Sequence, residues 1–433
     1  MSGFSWGLLG PGTLASERRT RTLGVAGSVR LFNDLAVPGL GGVWFAKPVF
    51  LATLGVHIAQ QARARGVSVT NIEVANAIEA LACSLAFNAN GWTQDARLHG
   101  RLKLRPDADL AFRNVCRRGF YVTQPMRMST VQVLPALGLV NTGGQRFNSF
   151  TCSPVGEEFV ETCIAGISPS KRSVTAHLLA WICEKADPGK ADSISRALSP
   201  TRPMNADAHN LLRERLRQGS SSEGAESRQR RSDALAWIDR LWKSEARQVG
   251  WQRPPAELQQ ADHWSDLQSG ALFFTARSAA LNALDAVETC MSIEGKSFSL
   301  KRELPALVAT KLEDVRHAAA AFIARGHDSR EALAFCRECT RDDVDEVLKN
   351  LIDRDGRVLR RIDDEVRAGP AFQGRAATLQ EDESADESPE DLDGIAWPEG
   401  MSYRIRNLYL LNLDLHGKLA PRMATTVVGE DQQ

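Results

Sequence analysis

At 433 residues the chain is long enough for two or three domains with a substantial core. Hydrophobic residues make up 43% and charged residues 24%, the balance of an ordinary soluble globular protein. Lys+Arg and Asp+Glu both number 53, which excludes a globally basic or acidic protein, so only a local imbalance could select a charged partner.

Arginine outnumbers lysine, 42 to 11, and with abundant alanine this is the bias of a GC-rich bacterial coding sequence. The longest uncharged piece of the apolar region 23–60, Pro48 to Ala62, falls short of the roughly 18–20 residues a spanning helix needs. It reads as buried core, with no membrane partner. Eight scattered cysteines (83, 116, 152, 163, 183, 290, 336 and 339) form no dense disulfide framework, so reduced thiols and a cytoplasmic location are expected.

In chain order, Gly39, Gly41 and Gly42 mark a turn before a helix over 47–66. Thr70 and Glu73 form a capping box, and Val74, Ala77, Ile78, Leu81 and Leu85 repeat at helical spacing behind it. Residues 107–119 read as a helix, acidic at its start and basic at its end, stopped by Gly119. From 170 onward the pattern is almost wholly helical, over 172–186, 205–218, 232–248, 265–290, 304–325 and 329–368. A second capping signal, Thr340 with Asp343, falls within the last, and Gly356 interrupts it. Residues 218–231 read as a mobile loop. Between Glu381 and Asp393 stand eight acidic residues and no basic one, so 373–394 is expected to be a disordered acidic linker. Beyond it Tyr403, Ile405, Tyr409, Leu411, Leu413 and Leu415 alternate with a mixed face, the period of a strand that would dock on a partner protein.

The run "ALGLV…GGQRF…TCSPVGEEFV" between 136 and 160 resembles winged helix-turn-helix proteins over about residues 105–165. The resemblance implies a recognition helix at Ser129–Leu137, a wing with Gly143-Gly144 at its tip, and a closing helix opened by Pro154. It names a superfamily, so it implies a shape before a task. Pro135 departs from the pattern by interrupting the recognition helix. Between Arg97 and Met128 eight basic residues face only Asp107 and Asp109, the kind of local excess that binds phosphates. Arg113, Arg117, Arg118, Arg127 and Gln132, with Arg146 on the wing, are therefore the nucleic-acid-binding candidates, DNA being the partner implied. A solvated or salt-bridged helix face is the plainer reading of the same residues.

Catalytic motifs are weak. Arg172 and His177 match the Arg-x4-His spacing of HEPN-type ribonucleases, but about one such match arises by chance in a chain this rich in arginine. Asp285, Glu294 and Lys296 resemble the metal site of restriction-type nucleases, which needs adjoining strands where Asp285 reads as helix. "CMSIEGKS" places Cys290 where a phosphate loop needs glycine. Cys336 and Cys339 form a lone C-x-x-C with no second pair, so two thiols on a helix face are expected and neither metal nor cofactor.

The sequence thus points to a mainly α protein. Its expected parts are an N-terminal winged-helix-like region (1–165), a helical domain (166–372), the acidic linker (373–394) and a C-terminal docking segment (395–433) carrying a short strand. The function expected is a non-catalytic nucleic-acid-associated subunit of a bacterial DNA-processing, chromosome-organising or defence complex. A nuclease built on either motif, or a kleisin-like scaffold, are the alternatives.

Overall fold

The structure is a computed structural model, which describes residues 21, 23–188, 192–294, 297–372 and 392–430. The chain is mainly helical and forms two compact units, Met1–Leu31 with Ser269–Glu381, and Phe32–Gln268 with Asp382–Gln433. The boundary expected at 165/166 therefore falls inside one unit. Helices from both sides of it pack on the same central helix.

Helix α1 (Ala26–Ala36) leads to a glycine turn and then to α2 (Lys47–Ala64). Gly41 has φ +63°, and a Cβ there would lie 2.4 Å from the Ser129 carbonyl oxygen, so both the conformation and the space demand glycine. Pro48 sits in the first turn of α2, where its missing N–H costs nothing. Helix α3 (Asn71–Ala89) opens on the expected capping box, with the Thr70 hydroxyl accepting from the Glu73 N–H and the Glu73 carboxylate accepting from the Thr70 N–H. The two helices approach closely because residue 55 is glycine: a Cβ there would lie 2.7 Å from that of Ala75. By length and composition α3 could cross a membrane, yet most of its surface is buried in this unit.

The helix expected over 107–119 shrinks to α4 (Phe112–Val115). Two further short helices follow, α5 (Arg127–Thr130) and α6 (Val133–Ala136). Strand β1 (Val140–Thr142) pairs antiparallel with β2 (Phe150–Cys152), register Val140 to Cys152. Then come α7 (Pro154–Ile164), α8 (Val174–Ile182), α9 (Asp192–Leu198), α10 (Ala206–Gln218) and α11 (Ala225–Lys243). Helix α2 runs through this assembly, touching α3, α5, α7 and α8. The loop expected over 218–231 is half helix. Arg231, fully buried in α11, donates to Glu223, the Leu216 carbonyl and the Pro38 carbonyl, so satisfied charge and not apolar area fixes this stretch.

Helix α12 (Ala261–Glu294) begins in this unit and ends in the other. There it is followed by β3 (Ser297–Ser299), α13 (Ala306–Arg325), α14 (Arg330–Cys339), α15 (Val344–Asp355), β4 (Leu359–Ile362) and β5 (Glu365–Ala368). The strands form one antiparallel sheet in the order β3-β5-β4. The interruption expected at Gly356, which has φ +59°, is the end of α15, and the stretch beyond it, expected to be helix to 368, is strand, the chain reversing at Asp363 with φ +54°. Buried Arg21 ties this unit together, donating to Asp355 at 3.1 Å, to Glu288 at 2.8 Å and to Asp285.

The expected C-terminal strand is helix α16 (Tyr403–Leu415), followed by α17 (Leu419–Glu430). Ile405, Tyr409, Leu411 and Leu413 are 0–4% exposed in the core beside α10 and α11, and Tyr403 opens the helix half-buried. They are packing residues on a helix, so the described part of this segment joins the core through α16. Leu392 and Asp393, placed at the end of the linker, are also packed. The Asp393 carboxylate accepts from Trp397 Nε1 at 2.7 Å and from Arg406 Nε at 3.2 Å. The rest of the expected linker, 373–391, lies outside the described residues.

Candidate nucleic-acid interface

The hairpin that drew attention in the sequence is built and anchored. Asn71, the first residue of α3, donates through Nδ2 to the Phe147 carbonyl at 3.0 Å and the Phe150 carbonyl at 2.8 Å. The Ile72 N–H donates to Asn148 Oδ1 at 2.9 Å. The loop between β1 and β2 is thereby fixed to the N-terminal turn of α3, while Gly143, Gly144, Gln145 and Arg146 project exposed. The Ser153 side chain caps α7 by accepting from Gly156 N–H at 3.0 Å and donates to the Gly138 carbonyl at 2.6 Å. A Cβ on Gly156 would lie 2.0 Å from the Leu139 carbonyl oxygen, which explains why glycine follows Ser-Pro-Val.

The arginine-rich stretch divides into internal and external members. Arg97 is buried, bonded to Asp95 and to the Thr201 carbonyl. Arg127 is internal as well. Its N–H donates to Glu79 Oε1 at 2.8 Å, its Nε to Asn76 at 2.6 Å, and its guanidinium lies 5.6 Å from the Phe147 ring centre. Glu79 is fully buried in α3, which pushes its carboxyl up to about 7 against the opposing bonds from Tyr121 and Arg127. Gln132 accepts from buried Arg404 at 2.6 Å. Arg127 and Gln132 are thus half-buried and bonded within the fold, unlike the other candidates, which are exposed.

Outside remain Arg101, Lys103, Arg105, Arg113, Arg117, Arg118 and Arg146. Arg113 faces Glu184 at 3.3 Å, an exposed and weak pair. Lys103 Nζ donates to the Gly119 carbonyl at 3.1 Å, which draws the 101–105 turn against the 117–119 turn. The positive charge of Arg118 acts on Arg127, whose guanidinium lies over Phe147, next in sequence to Arg146. Lys103 and the exposed Arg117–Gly119 turn are therefore neighbours, and Arg118 lies near enough to Arg127 for their charges to interact. Among the described residues Arg117, Arg118 and Arg146 have no side-chain partner.

The segment 129–137 forms two short helices and is largely buried. Ser129, Thr130, Val133, Leu134 and Leu137 are buried. The Ser129 carbonyl accepts from Gly42 N–H, and the Ala136 carbonyl from Ser220 N–H at 2.7 Å. The segment's other residues, Val131, Gln132, Pro135 and Ala136, are half-buried, so the fully exposed chemistry of this region lies on the hairpin and the arginine turn.

The two nuclease motifs fare differently. Arg172 stands before the cap of α8 while His177 lies inside it, 3% exposed, with neither ring nitrogen bonded. Burial, and then the charge of Arg172, holds that imidazole below its ordinary value. Asp285 and Glu294 share α12 nine residues apart, about 13.5 Å along the axis, too far for one cation. Asp285 is bonded to Arg21, and the side chain of Glu294 and all of Lys296 lie outside the described residues. Cys336 and Cys339 lie buried on α14, their thiols pushed up, Cys336 to about 12. Among the described residues no group of three or more His, Cys, Asp or Glu could hold a metal ion.

Two features escaped the sequence reading, the Glu79–Tyr121–Arg127 cluster and a buried Lys47. The only signal for either was a charged residue inside an otherwise apolar run. No protein-family model, no curated protein and no solved structure matches the chain.

Proposed function

We propose that this chain is a non-catalytic nucleic-acid-contacting subunit of a larger bacterial assembly, and that it grips the phosphate backbone without reading bases. The observation that carries the reading is the set of exposed cations between Arg101 and Arg118, with Arg146 exposed on the anchored hairpin and with Arg117, Arg118 and Arg146 lacking a side-chain partner among the described residues. Solvated guanidinium groups keep their donors for phosphate oxygens, and a fixed base keeps the ordering cost of contact low. The hairpin acts as the wing of a winged-helix-like unit. Wing and arginine turn do the binding, because no residue of 129–137 is fully exposed.

Six cations are available: Arg101, Lys103, Arg105, Arg117, Arg118 and Arg146. If each replaced one condensed counterion on duplex DNA, log K against log salt would fall with a slope of about −5. Titrating labelled duplex DNA of two unrelated sequences, and single-stranded RNA, with the full chain at several salt concentrations tests this. The expected result is binding to both duplexes alike with a steep salt dependence. No binding at about 50 mM salt would leave a protein scaffold as the better reading.

A further inference from the structure

A second polar centre lies at the N-terminal end of α2. Lys47 is 4% exposed there and has no carboxylate within ion-pair distance among the described residues. Its Nζ donates to the Ala197 carbonyl at 3.2 Å at the end of α9, and it lies 5.5 Å from the Phe50 ring centre. An ammonium has three donors, and the described protein uses one. The side chain lines a cavity of about 40 Å³ together with Arg97, Arg202, Asp414, Met204 and Pro203. At about 10–15 Å³ for each oxygen-sized occupant, that is room for three or four such atoms.

The groups facing Lys47 decide the sign of the site. Arg202, exposed at the mouth, has no partner among the described residues. Arg97 turns two donors to Asp95. Cys163 of α7 faces Lys47 as a thiol that burial pushes up to about 12, so it is neutral. Asp414 of α16 accepts from the Ala46 N–H at 2.8 Å, and burial raises its carboxyl toward the neutral form. His209 of α10, 7% exposed, has an unbonded Nε2 and faces Asp414. Three cations line the cavity, Arg97 already paired with Asp95, so Lys47 and Arg202 stand against one carboxylate whose neutral form burial favours, beside the positive end of an 18-residue helix.

We propose that this cavity binds a tetrahedral oxyanion, either a free phosphate ion or the terminal phosphate of a monoester, held by Lys47 and Arg202. The ammonium supplies its unspent donors from below, and the guanidinium closes over the mouth. Without an anion, burial lowers the Lys47 amine to about 8. An anion favours the charged amine, so binding takes up a proton, about half an equivalent at pH 8.

The test is calorimetric titration of the full chain with inorganic phosphate and with glycerol 3-phosphate, comparing wild type with Arg202→Ala and Lys47→Met. Arg202 is exposed, so its variant is expected to fold normally. One saturable site is expected with dissociation in the millimolar range or tighter, weakened about tenfold in Arg202→Ala and absent in Lys47→Met. Binding of the monoester as well as the free ion identifies a phosphorylated ligand, and binding of the free ion alone identifies phosphate itself. Should Lys47→Met fail to fold, inorganic sulfate, which does not titrate near pH 8, replaces it in wild type. The heat of binding must then vary with the ionisation enthalpy of the buffer. Absence of saturable binding, equal binding in wild type and Arg202→Ala, or no proton uptake with sulfate overturns the proposal.

Discussion

Replacing Glu79 by glutamine isolates the buried carboxyl that holds the base of the arginine turn. In the folded chain the carboxyl is fully buried, accepting from the Tyr121 hydroxyl and from the Arg127 N–H, and burial raises it from the ordinary 4.5 to about 7. That gap corresponds to about 3 kcal/mol. The sign follows from which state holds the proton. Below pH 4.5 both states are protonated and the contribution is complete. Between 4.5 and 7 the unfolded chain releases its proton while the folded chain keeps it, so stability falls. Above 7 the loss is complete. Glutamine keeps the shape and an acceptor and removes the titration. Denaturant unfolding followed by tryptophan fluorescence reads the right unit: eight of the nine tryptophans lie in the unit that contains Glu79, and the ninth, Trp6, lies outside the described residues. Wild type should lose about 3 kcal/mol relative to Glu79→Gln between pH 4.5 and 8. Stability curves that stay parallel to within about 0.5 kcal/mol would refute the reasoning.

Leu411→Ala, in the core of α16, should cost about 2–5 kcal/mol in the same assay; a change below about 1 kcal/mol would return this segment to a docking role. The buried thiols of Cys336 and Cys339 should resist a thiol-specific reagent at pH 8 until the chain unfolds, while half-buried Cys116 and Cys183 react first; mass spectrometry that finds 336 or 339 labelled early would contradict their placement. Asn71→Ala removes the two bonds that fasten the hairpin, so amide exchange at 141–151 should quicken about tenfold or more while α3 beyond its first turn is unaffected; unchanged exchange would mean the anchor lies elsewhere.

Local chemistry was legible where a few neighbouring residues decide the outcome. The Thr70–Glu73 box starts α3, and Gly-Gly followed by Ser153-Pro154 delivers hairpin and helix in order. Helix α16 was misread because it is buried on almost every side. Leu408 and Leu410 fill the positions between the alternating apolar residues, and a helix buried all round, with Arg404, Asn407 and Asn412 also inside, shows no single 3.6-residue stripe. Ile362 and Val366 stand four apart, as on a helix face, yet occupy partner strands, because the break at Gly356 is a backbone matter that apolar spacing does not report. The interface divides the same way. Its arginines were visible as a local excess, but which ones face outward depends on Glu79, 48 residues from Arg127, and on Arg404, 272 residues from Gln132.

The central claim is that the exposed arginines of 101–118 and of the hairpin meet phosphates. Its most direct test is the salt dependence of duplex DNA binding by the full chain carrying Arg117→Ala with Arg118→Ala. The control is Arg330→Ala with Arg337→Ala on the exposed surface of α14. The first pair should make the slope of log K against log salt shallower by about 1.8 and weaken binding to unrelated sequences equally, with the control at the wild-type slope. Equal slopes for all three proteins would contradict it.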